Sequence, residues 1–414
     1  MKILFISTKF PWPIRGGREG TIDQYLRILG ERDEVILAAF FADQSWPVPG
    51  CVRRVYPLPY PGHAEMALGL LRNPFKPIQS HLFNGWRVRR EIRRICDTHK
   101  PDVIVYDMIR SISLAQDKGV RGYPKIIDMD DLLSRRYRRW LDLRMTNITG
   151  SFQGALPKVL RDLIARLARP ILQVESRLTR RAESRAFDVF DGAIFVSKDE
   201  ADEFLGHSRR QGAVAVVPRA VNSTTSPDLR AGDRPSFFFL GNFNTPANLI
   251  TLRRFDAIVG ELDPALRRTA RFFAIGAMNK EFAPRHVKAL GFVDDIYDHI
   301  DDRSVLVAPM VTGTGIKIKI MESLAAGIPV VTNKVGVENL DLPADTYTHC
   351  EDDGEYLDFI VRVLSGDLPF ETLQARSRAA VAFVDKRFSI DTARANLLGL
   401  VDAVVAPGVA AAQG

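Results

Sequence analysis

The sequence predicts an α/β protein with two doubly wound, Rossmann-like domains that face a central cleft. Short β-branched and aromatic runs alternate with helical apolar stripes in both halves of the chain, and this alternation implies parallel sheets with crossover helices. Residues 219–236 are rich in Ser, Thr, Pro, Asp and Gly, a composition typical of linkers. A length of 414 residues is enough for two or three hydrophobic cores.

The first domain is predicted over residues 1–220. It opens with a strand at Lys2–Ser7, a Pro/Gly-rich loop, and a helix whose apolar residues Ile22, Leu26 and Leu29 recur at helical spacing. A second helix is expected from about Arg87 to His99. The other predicted strands are short apolar runs: Glu34–Phe41, Asp102–Tyr106, Lys125–Asp128, Ala193–Val196 and Val214–Val217.

The same pattern restarts after the linker and predicts a second domain over residues 221–387. Its predicted strands are Phe237–Leu240, Arg271–Ile275, Ala289–Val293, Val305–Pro309 and Ile328–Thr332. Phe388–Val405 is helical by pattern, so residues 388–414 either close the second domain or cross back to the first. The Ala/Gly tail from Ala406 is expected to fray.

Composition excludes several classes of protein. With 46% hydrophobic and 26% charged residues, the chain is neither disordered nor collagen-like. Its three cysteines, without C-x-x-C spacing, build neither a disulfide framework nor a zinc ribbon. The first residues contain only four consecutive apolar positions, too few for a signal peptide, and no run of about 18 apolar residues follows. We therefore expect a cytoplasmic protein, soluble or peripheral to a membrane.

The net charge of +7 is unevenly distributed. Residues 1–220 hold 37 basic and 25 acidic side chains, whereas the rest of the chain holds 20 and 25. The first half is thus +12 and the second −5. Nucleic acid, an anionic membrane, or a solvated arginine-rich face with no partner would each account for such a split.

The strongest motif is the loop and helix start from Val311 to Glu322, after the strand that ends at Pro309. Its glycines allow backbone N–H groups to approach a phosphate, and Lys317 and Lys319 supply positive charge. Glu322 follows Lys319 by three positions and is placed to accept hydrogen bonds from sugar hydroxyls. The alternative is a surface ion pair between Lys319 and Glu322.

Residues 313–331, GTGIKIKIMESLAAGIPVV, resemble the donor-site signature of the group 1 family of retaining, nucleotide-sugar-dependent glycosyltransferases with the GT-B fold. The resemblance implies that Glu322 is the second glutamate of the family's E-x7-E motif and binds the ribose. Thr314 stands where the first glutamate would be, and the loop resembles instead that of an exopolysaccharide-associated subgroup. Sugar contacts would then come from Thr314 and from backbone amides, with Gly315 and Ile316 in the donor site.

The loop from Gly241 to Asn248 resembles the family's first loop of the second domain, where a glycine precedes a helix that faces the donor phosphates. Many members have a basic residue at the position of Asn242, so Lys317 or Lys319 is expected to carry more of the charge here. The alternative interpretation is that the segment from Asn244 to Pro246 is only a turn and a helix cap, without a role in donor binding.

Two further loops carry weaker signals. Leu290–Asp295 is similar to the family's G-x-V-x-D element, in which backbone groups at Val293, with Asp294 beside it, bind the nucleobase edge. The alternative interpretation is that this segment is only the end of a strand, followed by aspartates that cap a helix. Gly16 and Gly17 match the family's glycine loop for phosphate and acceptor, although a Gly-Gly pair alone is more often a turn.

A D-x-D sequence follows the strand that begins at Lys125. Asp128 and Asp130, within a segment similar to one of the exopolysaccharide subgroup, are predicted to orient the acceptor hydroxyl. The GT-B fold normally needs no metal, so we predict none here. Asp131 is alternatively a helix cap.

Residues 135–185 form a basic segment with 13 arginines and lysines against four acids. An apolar helical stripe runs through it: Leu156, Leu160, Leu163, Leu167, Ile171 and Val174. Arg161, Arg166 and Arg169 are therefore candidates for contact with an anionic membrane. The alternatives are a helix that packs its leucines on the sheet with a solvated basic back and, less favoured, nucleic acid.

The resemblance implies transfer of a sugar from a nucleotide diphosphate sugar, with UDP or GDP, to a glycan or lipid-linked acceptor in polysaccharide biosynthesis. Lys317, Lys319, Asp128 and Asp130 are the predicted catalytic residues, with no cofactor, and the inner face of the cytoplasmic membrane is the expected location. The rivals are a GT-B nucleotide-sugar epimerase and a non-catalytic sugar-nucleotide binding protein.

Overall fold

The computed structural model describes residues 1–14, 16–43, 45–142, 168–221, 229–279, 282–313 and 315–412. The chain divides into two compact units. The first comprises residues 1–219 and 391–414, and the second comprises residues 220–390. Each unit has its own parallel sheet, which confirms the predicted α/β class.

The first unit contains a seven-stranded sheet in the order β3-β2-β1-β4-β5-β6-β7. Its strands are β1 (Lys2–Ser7), β2 (Glu34–Phe40), β3 (Val52–Leu58), β4 (Val103–Asp107), β5 (Lys125–Asp130), β6 (Gly192–Phe195) and β7 (Ala213–Val216). The central strands are buried along nearly their whole length. Helices cover both faces of such a sheet, so side chains on both faces are apolar. The sequence of each central strand is therefore a continuous apolar run.

In the described residues of this unit, eight helices precede the second unit. They are α1 (Gly17–Arg32), α2 (His63–Arg72), α3 (Ile78–His81), α4 (Trp86–His99), α5 (Ile112–Ala115), α6 (Leu133–Asp142), α7 (Ala168–Glu183) and α8 (Lys198–His207). The described residues of this unit also form 3₁₀ turns at Ile109–Ser111, Lys118–Val120 and Ala186–Asp188.

The second unit contains a six-stranded sheet in the order β10-β9-β8-β11-β12-β13. Its strands are β8 (Ser236–Leu240), β9 (Arg271–Ile275), β10 (Lys288–Gly291), β11 (Ser304–Ala308), β12 (Val330–Thr332) and β13 (Thr348–His349). Its helices are α9 (Pro246–Gly260), α10 (Pro264–Arg267), α11 (Ile318–Ala325), α12 (Lys334–Val337), α13 (Asp353–Ser365) and α14 (Phe370–Arg387), with a 3₁₀ turn at Ile296–Asp298. Phe237, Phe238 and Phe239 are fully buried in its core.

After the second unit the chain returns to the first as α15 (Ile390–Ala412). Arg394 pairs with Glu31 at 2.7 Å, and the Asn396 amide donates to the carbonyl oxygen of Val216 at 2.9 Å. A Cβ atom on Gly192 would lie 2.8 Å from Val404, so β6 and α15 are in close contact. This helix therefore belongs structurally to the first unit.

Both sheets have a switch point, a position where consecutive strands diverge to opposite sides. In the first sheet it lies between β1 and β4, and in the second between β8 and β11. Ligands of open α/β sheets bind beyond the carboxyl ends of the strands at such points. The two switch points are therefore where functional side chains are expected.

Two edge strands were not anticipated from the sequence. β3 contains exposed Arg53 and Arg54 and the proline Pro57, and β13 has only two residues. The strand predicted to reach Val293 ends earlier, because Gly291 turns into the left-handed region at φ +78°.

Candidate active site

The loop after β11 brings the predicted lysines to the switch point of the second sheet. Gly315 is buried and adopts φ +64°, a conformation that glycine adopts without steric cost. This turn leads into α11, whose first backbone N–H groups are left without partners within the helix. Thr314 lies outside the described residues.

Lys319 lies in the first turn of α11, and its side chain faces the loop after β8. Its ammonium donates to the Oδ1 atom of Asn248 and lies 4.5 Å from the centre of the Phe239 ring. A Cβ atom on Gly241 would be 3.1 Å from the Nζ atom, so the glycine leaves room for this lysine. Burial lowers the pKa of Lys319 to about 7.

Lys317 is placed differently from Lys319. Its side chain is buried, and the ammonium donates to the carbonyl oxygen of Gly315 at 3.0 Å and pairs with Glu338 at 3.2 Å. Lys317 thus ties the loop to Glu338, the residue that follows α12. Its predicted role with a phosphate stays a prediction, and Lys319 is the lysine that faces the Gly241 loop.

Glycines at the ends of three neighbouring strands hold this edge of the sheet together. The amide of Gly241 donates to the carbonyl oxygen of Ile275 at 3.0 Å, and that of Gly276 donates to Gly291 at 2.7 Å. Gly276 has φ +133°, and a Cβ atom there would lie 2.0 Å from the carbonyl oxygen of Gly241. Side chains are therefore excluded at the point where the loops meet.

Asn242 shapes the first of these loops through backbone contacts. Its Oδ1 atom accepts the amide of Asn244 at 3.1 Å, and its carbonyl oxygen accepts the Asn248 amide group at 3.0 Å. Thr245 precedes Pro246, the first residue of α9. The segment is thus a turn that leads into a helix, and Asn248 connects it to Lys319.

Glu322 lies on the exposed side of α11, one turn after Lys319. Burial, together with the charge of Glu322, raises the pKa of Tyr297, which places this carboxylate near the turn after β10. In that turn Asp295 caps the 3₁₀ helix by accepting the Tyr297 amide at 2.9 Å. Glu322 is therefore on the side of the site that the β10 loop borders.

The loop after β10 presents an aromatic ring. Phe292 is 81% exposed, Val293 is half-buried and Asp294 is exposed. The predicted nucleobase contacts at Val293 and Asp294 stay predictions. Ile316 is half-buried in the opposite loop.

A second cluster lies at the switch point of the first sheet. Arg18, in the first turn of α1, pairs with Asp107 at the end of β4, with Asp128 at 2.6 Å and with Asp130 at 3.3 Å. The backbone amide and the hydroxyl of Thr8, which follows β1, both donate to Asp107. One guanidinium thus joins three carboxylates from two adjacent strands.

The three carboxylates differ in protonation. Burial raises the pKa of Asp128 to about 6, despite the opposing charge of Arg18, and burial raises that of Asp130 as well. Burial also penalises the charged form of Asp107, but the charge of Arg18 and the Thr8 hydroxyl hold its pKa below the usual value. The cluster therefore contains one carboxylate, Asp107, whose surroundings favour the ionised form, and two, Asp128 and Asp130, whose burial favours the neutral form.

The glycine pair predicted for the acceptor side lies beside this cluster. Gly16 caps α1 in an extended conformation, and Gly17 is the first helical residue. They position Arg18, which immediately follows. Sequence analysis singled out neither Arg18 nor Asp107, although Asp107 ends a strand next to β1, where the switch point predicts function.

Two of the three candidate membrane residues, Arg161 and Arg166, lie outside the described residues. Arg169 is exposed on α7. In the described part of the chain, no helix is long and apolar enough to cross a bilayer. Within the same residues, no group of three or more His, Cys, Asp or Glu side chains is arranged to hold a metal ion.

Comparison with known proteins agrees with the geometry. Residues 234–366, within the second unit, match the family model described as glycosyl transferases group 1. No curated protein matches the chain. The matched segment supports the family that the sequence motifs resemble.

Solved structures share the two-sheet architecture. Sucrose-phosphate synthase from Thermosynechococcus elongatus is 13% identical, with 98% of this chain and 100% of that chain covered and a TM-score of 0.67. Anabaena HepE in complex with UDP-glucose is 14% identical, with 97% and 100% covered and a TM-score of 0.66. WaaG, a glycosyltransferase involved in lipopolysaccharide biosynthesis, is 13% identical, with 97% and 99% covered and a TM-score of 0.62. These similarities confirm the predicted GT-B fold.

Proposed function

We propose that the chain is a glycosyltransferase that moves a sugar from a nucleotide diphosphate sugar to a hydroxyl group of a glycan or lipid-linked acceptor. The placement of Lys319 carries the proposal. Its ammonium lies beside Gly241 at the switch point of the second sheet, in the segment that matches the family model. A diphosphate bound there would meet this charge and the amides at the start of α11.

The chemistry follows from these groups. The bond between the anomeric carbon and the diphosphate oxygen breaks, a bond to the acceptor oxygen forms, and the acceptor proton leaves with the diphosphate or passes to a base. Charge develops on the leaving diphosphate, and donors fixed in advance at that position stabilise the transition state. Lys319 and the α11 amides are the donors that we assign to this task.

UDP is the nucleotide that we propose, with the base beside Phe292 and Val293 and the ribose hydroxyls on Glu322. HepE, which shares the fold, has been solved with UDP-glucose. Phe292 offers an exposed ring on which a base can stack. Lys317 would act through the loop that it ties down. No cofactor or metal ion is required in this scheme.

The acceptor is proposed to bind in the first unit near Asp128 and Asp130. Asp128 is fully buried against Arg18. Asp130 is half-buried and burial raises its pKa, so it is the carboxylate to which we assign the hydrogen bond from the acceptor hydroxyl group. We propose that the sugar is transferred with retention of configuration, in polysaccharide biosynthesis, by a protein peripheral to the inner face of the cytoplasmic membrane.

The test is a transfer and donor-hydrolysis assay with a panel of nucleotide sugars. Replacing Lys319 by alanine should lower kcat/KM on the order of 10²–10³-fold, as when one transition-state donor is removed. Lys288, exposed on β10, provides the matched control, and Lys288→Ala should keep full activity. Near wild-type turnover of Lys319→Ala in a folded protein would refute the assignment.

The products separate the proposed reaction from its rivals. A transferase releases UDP and makes a new glycosidic bond, whose anomeric configuration NMR reports. An epimerase would convert one nucleotide sugar into another without an acceptor, and a binding protein would release no UDP. Unchanged turnover in EDTA would support metal independence.

A further inference from the structure

Helix α2 of the first unit exposes its apolar side to solvent. Ala64, Ala67, Leu68 and Leu71 recur at positions i, i+3, i+4 and i+7 and form one helical stripe. All four side chains are exposed, Leu71 by 79%. No residue of α2 is buried, whereas a surface helix of a globular domain normally packs its apolar stripe against the core.

The opposite side of α2 attaches it to the protein. Gly69 packs on the His81 ring, since a Cβ atom there would lie 3.0 Å from its Nδ1 atom. The Glu65 carboxylate accepts the amide of Gly62 at 3.1 Å and the amide of Trp86 at 3.2 Å. The helix is therefore held by its small and polar side, and its orientation keeps the leucines outward.

Two aromatic side chains near the ends of α2 are also exposed. Phe75, three residues after α2, is 76% exposed, and Trp86, which Glu65 fixes beside the start of α2, is 60% exposed. The guanidinium of Arg87 lies 5.4 Å from the centre of the Trp86 ring. Aromatic rings next to cationic groups are typical of surfaces that meet the boundary between lipid chains and head groups.

Basic residues outnumber acidic ones in this region, although Arg89 is paired with Asp117. Residues 62–90 contain five arginines and lysines and a single acid, Glu65, whose carboxylate is engaged by the two backbone amides. Arg72 and Arg87 are exposed. An apolar stripe among basic residues is complementary to an anionic bilayer, in which the stripe enters the interface and the basic groups meet phosphates.

We propose that the α2 surface, defined as the stripe of α2 with Arg72, Phe75, Trp86 and Arg87, docks the protein on an anionic lipid bilayer. This inference deepens the membrane association in the proposed function and rests on that part of it. It does not use the donor site. It also differs from the membrane segment expected at Arg161, Arg166 and Arg169.

Vesicle flotation tests the apolar contact. The protein should bind vesicles of phosphatidylglycerol and phosphatidylcholine and not vesicles of phosphatidylcholine alone. The double variant Leu68→Ser with Leu71→Ser should lose at least tenfold in partitioning. Val48, another exposed apolar residue of the first unit, provides the control, and Val48→Ser should bind like the wild type. Equal binding by the double variant and the wild type would overturn the proposal.

Charge reversal tests whether position or net charge matters. Arg72→Glu with Arg87→Glu should abolish binding to the anionic vesicles. Lys118→Glu with Arg121→Glu makes the same change in net charge on exposed residues that precede β5, at the amino end of the sheet. This control pair should retain binding within a few-fold. An equal loss in both pairs would show that net charge alone drives adsorption and would overturn the α2 surface.

Tryptophan quenching locates the contact. Brominated phosphatidylglycerol should quench the fluorescence of the wild type and of Trp46→Phe, which removes another exposed tryptophan. The same lipid should quench the fluorescence of Trp86→Phe much less. Equal quenching of both variants would contradict contact at Trp86.

Two controls separate this proposal from others. All α2-surface variants should retain wild-type hydrolysis of the donor sugar, so loss of lipid binding and failure of the transferase activity are distinguishable. Sedimentation without lipid should give the same oligomeric state for wild type and Leu68→Ser with Leu71→Ser. If the wild type is a dimer and the double variant is a monomer, the α2 surface binds a second copy of the chain. That result would overturn the proposal that it binds lipid.

Discussion

Lys319 is a lysine whose protonation is linked to the binding of its ligand. Burial holds its pKa at about 7 in the free protein, so about half of the molecules carry the charge at that pH. A diphosphate next to the Nζ atom would favour the charged form and raise this pKa. Binding of a nucleotide sugar should therefore draw a proton from solution.

This linkage predicts how affinity depends on pH. Between the pKa of the free and of the bound protein, binding should weaken by up to about tenfold per pH unit as the pH rises above 7. At pH 8 the protein should take up about one proton for each UDP-glucose molecule bound, because Lys319 is mostly neutral there and the phosphates of UDP-glucose do not titrate. Calorimetry in two buffers of different ionisation enthalpy measures the uptake.

Lys319→Gln is the matched control for the proton linkage. It should bind UDP-glucose more weakly, with no proton uptake and with a flat affinity profile between pH 7 and 9. A wild-type profile that is equally flat would contradict a titrating lysine at the diphosphate.

Arg18 pairs with three carboxylates at the first switch point, Asp107, Asp128 and Asp130. Removing one partner of a buried ion pair leaves uncompensated charge in a poorly solvated place. Arg18→Ala should therefore destabilise the first unit by about 3–5 kcal/mol at neutral pH.

The size of that loss should depend on pH. Without Arg18 the carboxylate pKa values rise further in the folded state, so the folded protein binds more protons than the unfolded chain and its stability falls as pH rises. Urea unfolding should thus show a larger loss for Arg18→Ala at pH 8 than at pH 5. The exposed Lys118→Ala should stay within about 0.5 kcal/mol of wild type at both values. A loss that is constant with pH would mean that the carboxylates do not depend on the charge of Arg18.

At the scale of elements, the carboxyl edge of the second sheet has three neighbouring strand ends, each of which turns at a glycine. Gly276 is the most constrained, because its φ of +133° is unfavourable for any other residue and its Cα atom faces the carbonyl oxygen of Gly241. Any side chain there must push the β8 and β9 loops apart. The position of Gly241 under Lys319 would change with them.

Gly276→Ala should therefore cost about 1–3 kcal/mol from backbone strain, with the steric clash in addition, and should weaken UDP-glucose binding at least tenfold. Denaturant unfolding and calorimetry measure the two effects. Gly399→Ala is the contrasting control, since Gly399 lies in α15 with open space around it. That change should stabilise the protein by about 0.4–1 kcal/mol. Unchanged binding in Gly276→Ala would show that the loops tolerate separation.

The strands that the sequence predicts most directly are the ones that are buried on both faces. β1 and β8 are apolar almost throughout because helices cover both faces, and their patterns are therefore unambiguous. β3 was missed because an edge strand with one solvated side accommodates Arg53, Arg54 and a proline that lacks an N–H donor. Such a strand has the composition of a loop, and only pairing with β2 identifies it.

The same reasoning explains which residues of the candidate site the sequence could single out. Lys319 and Glu322 lie on one helix, so their spacing along the chain already describes their geometry. The cluster around Arg18 combines residues from α1, β4 and β5, and their proximity depends on β4 lying next to β1. Strand order is a property of the folded sheet, and a local pattern around Asp107 does not contain it.

At the scale of the whole molecule, the chain crosses from the first unit to the second and returns once. The returning helix α15 places Leu397 in a fully buried position, and Arg32 pairs with Asp402 at 2.9 Å. Exposed ion pairs contribute little to stability. The buried side chains of α15 are therefore what the first unit gains from the last residues of the chain.

Leu397→Ala should accordingly weaken the first unit and leave the second unchanged. Deleting a buried leucine side chain costs about 2–5 kcal/mol. Some amides of the first unit exchange hydrogen only when the whole unit opens. For these amides the cost corresponds to a loss of protection on the order of 10²-fold or more. The loss is expected in β4 and β5 and not in β8 and β9. Leu398, half-buried on the same helix, is the matched control, and Leu398→Ala should cost clearly less. Equal loss of protection in both sheets would show that α15 supports the whole chain, and no loss at all would show that the first unit folds without it.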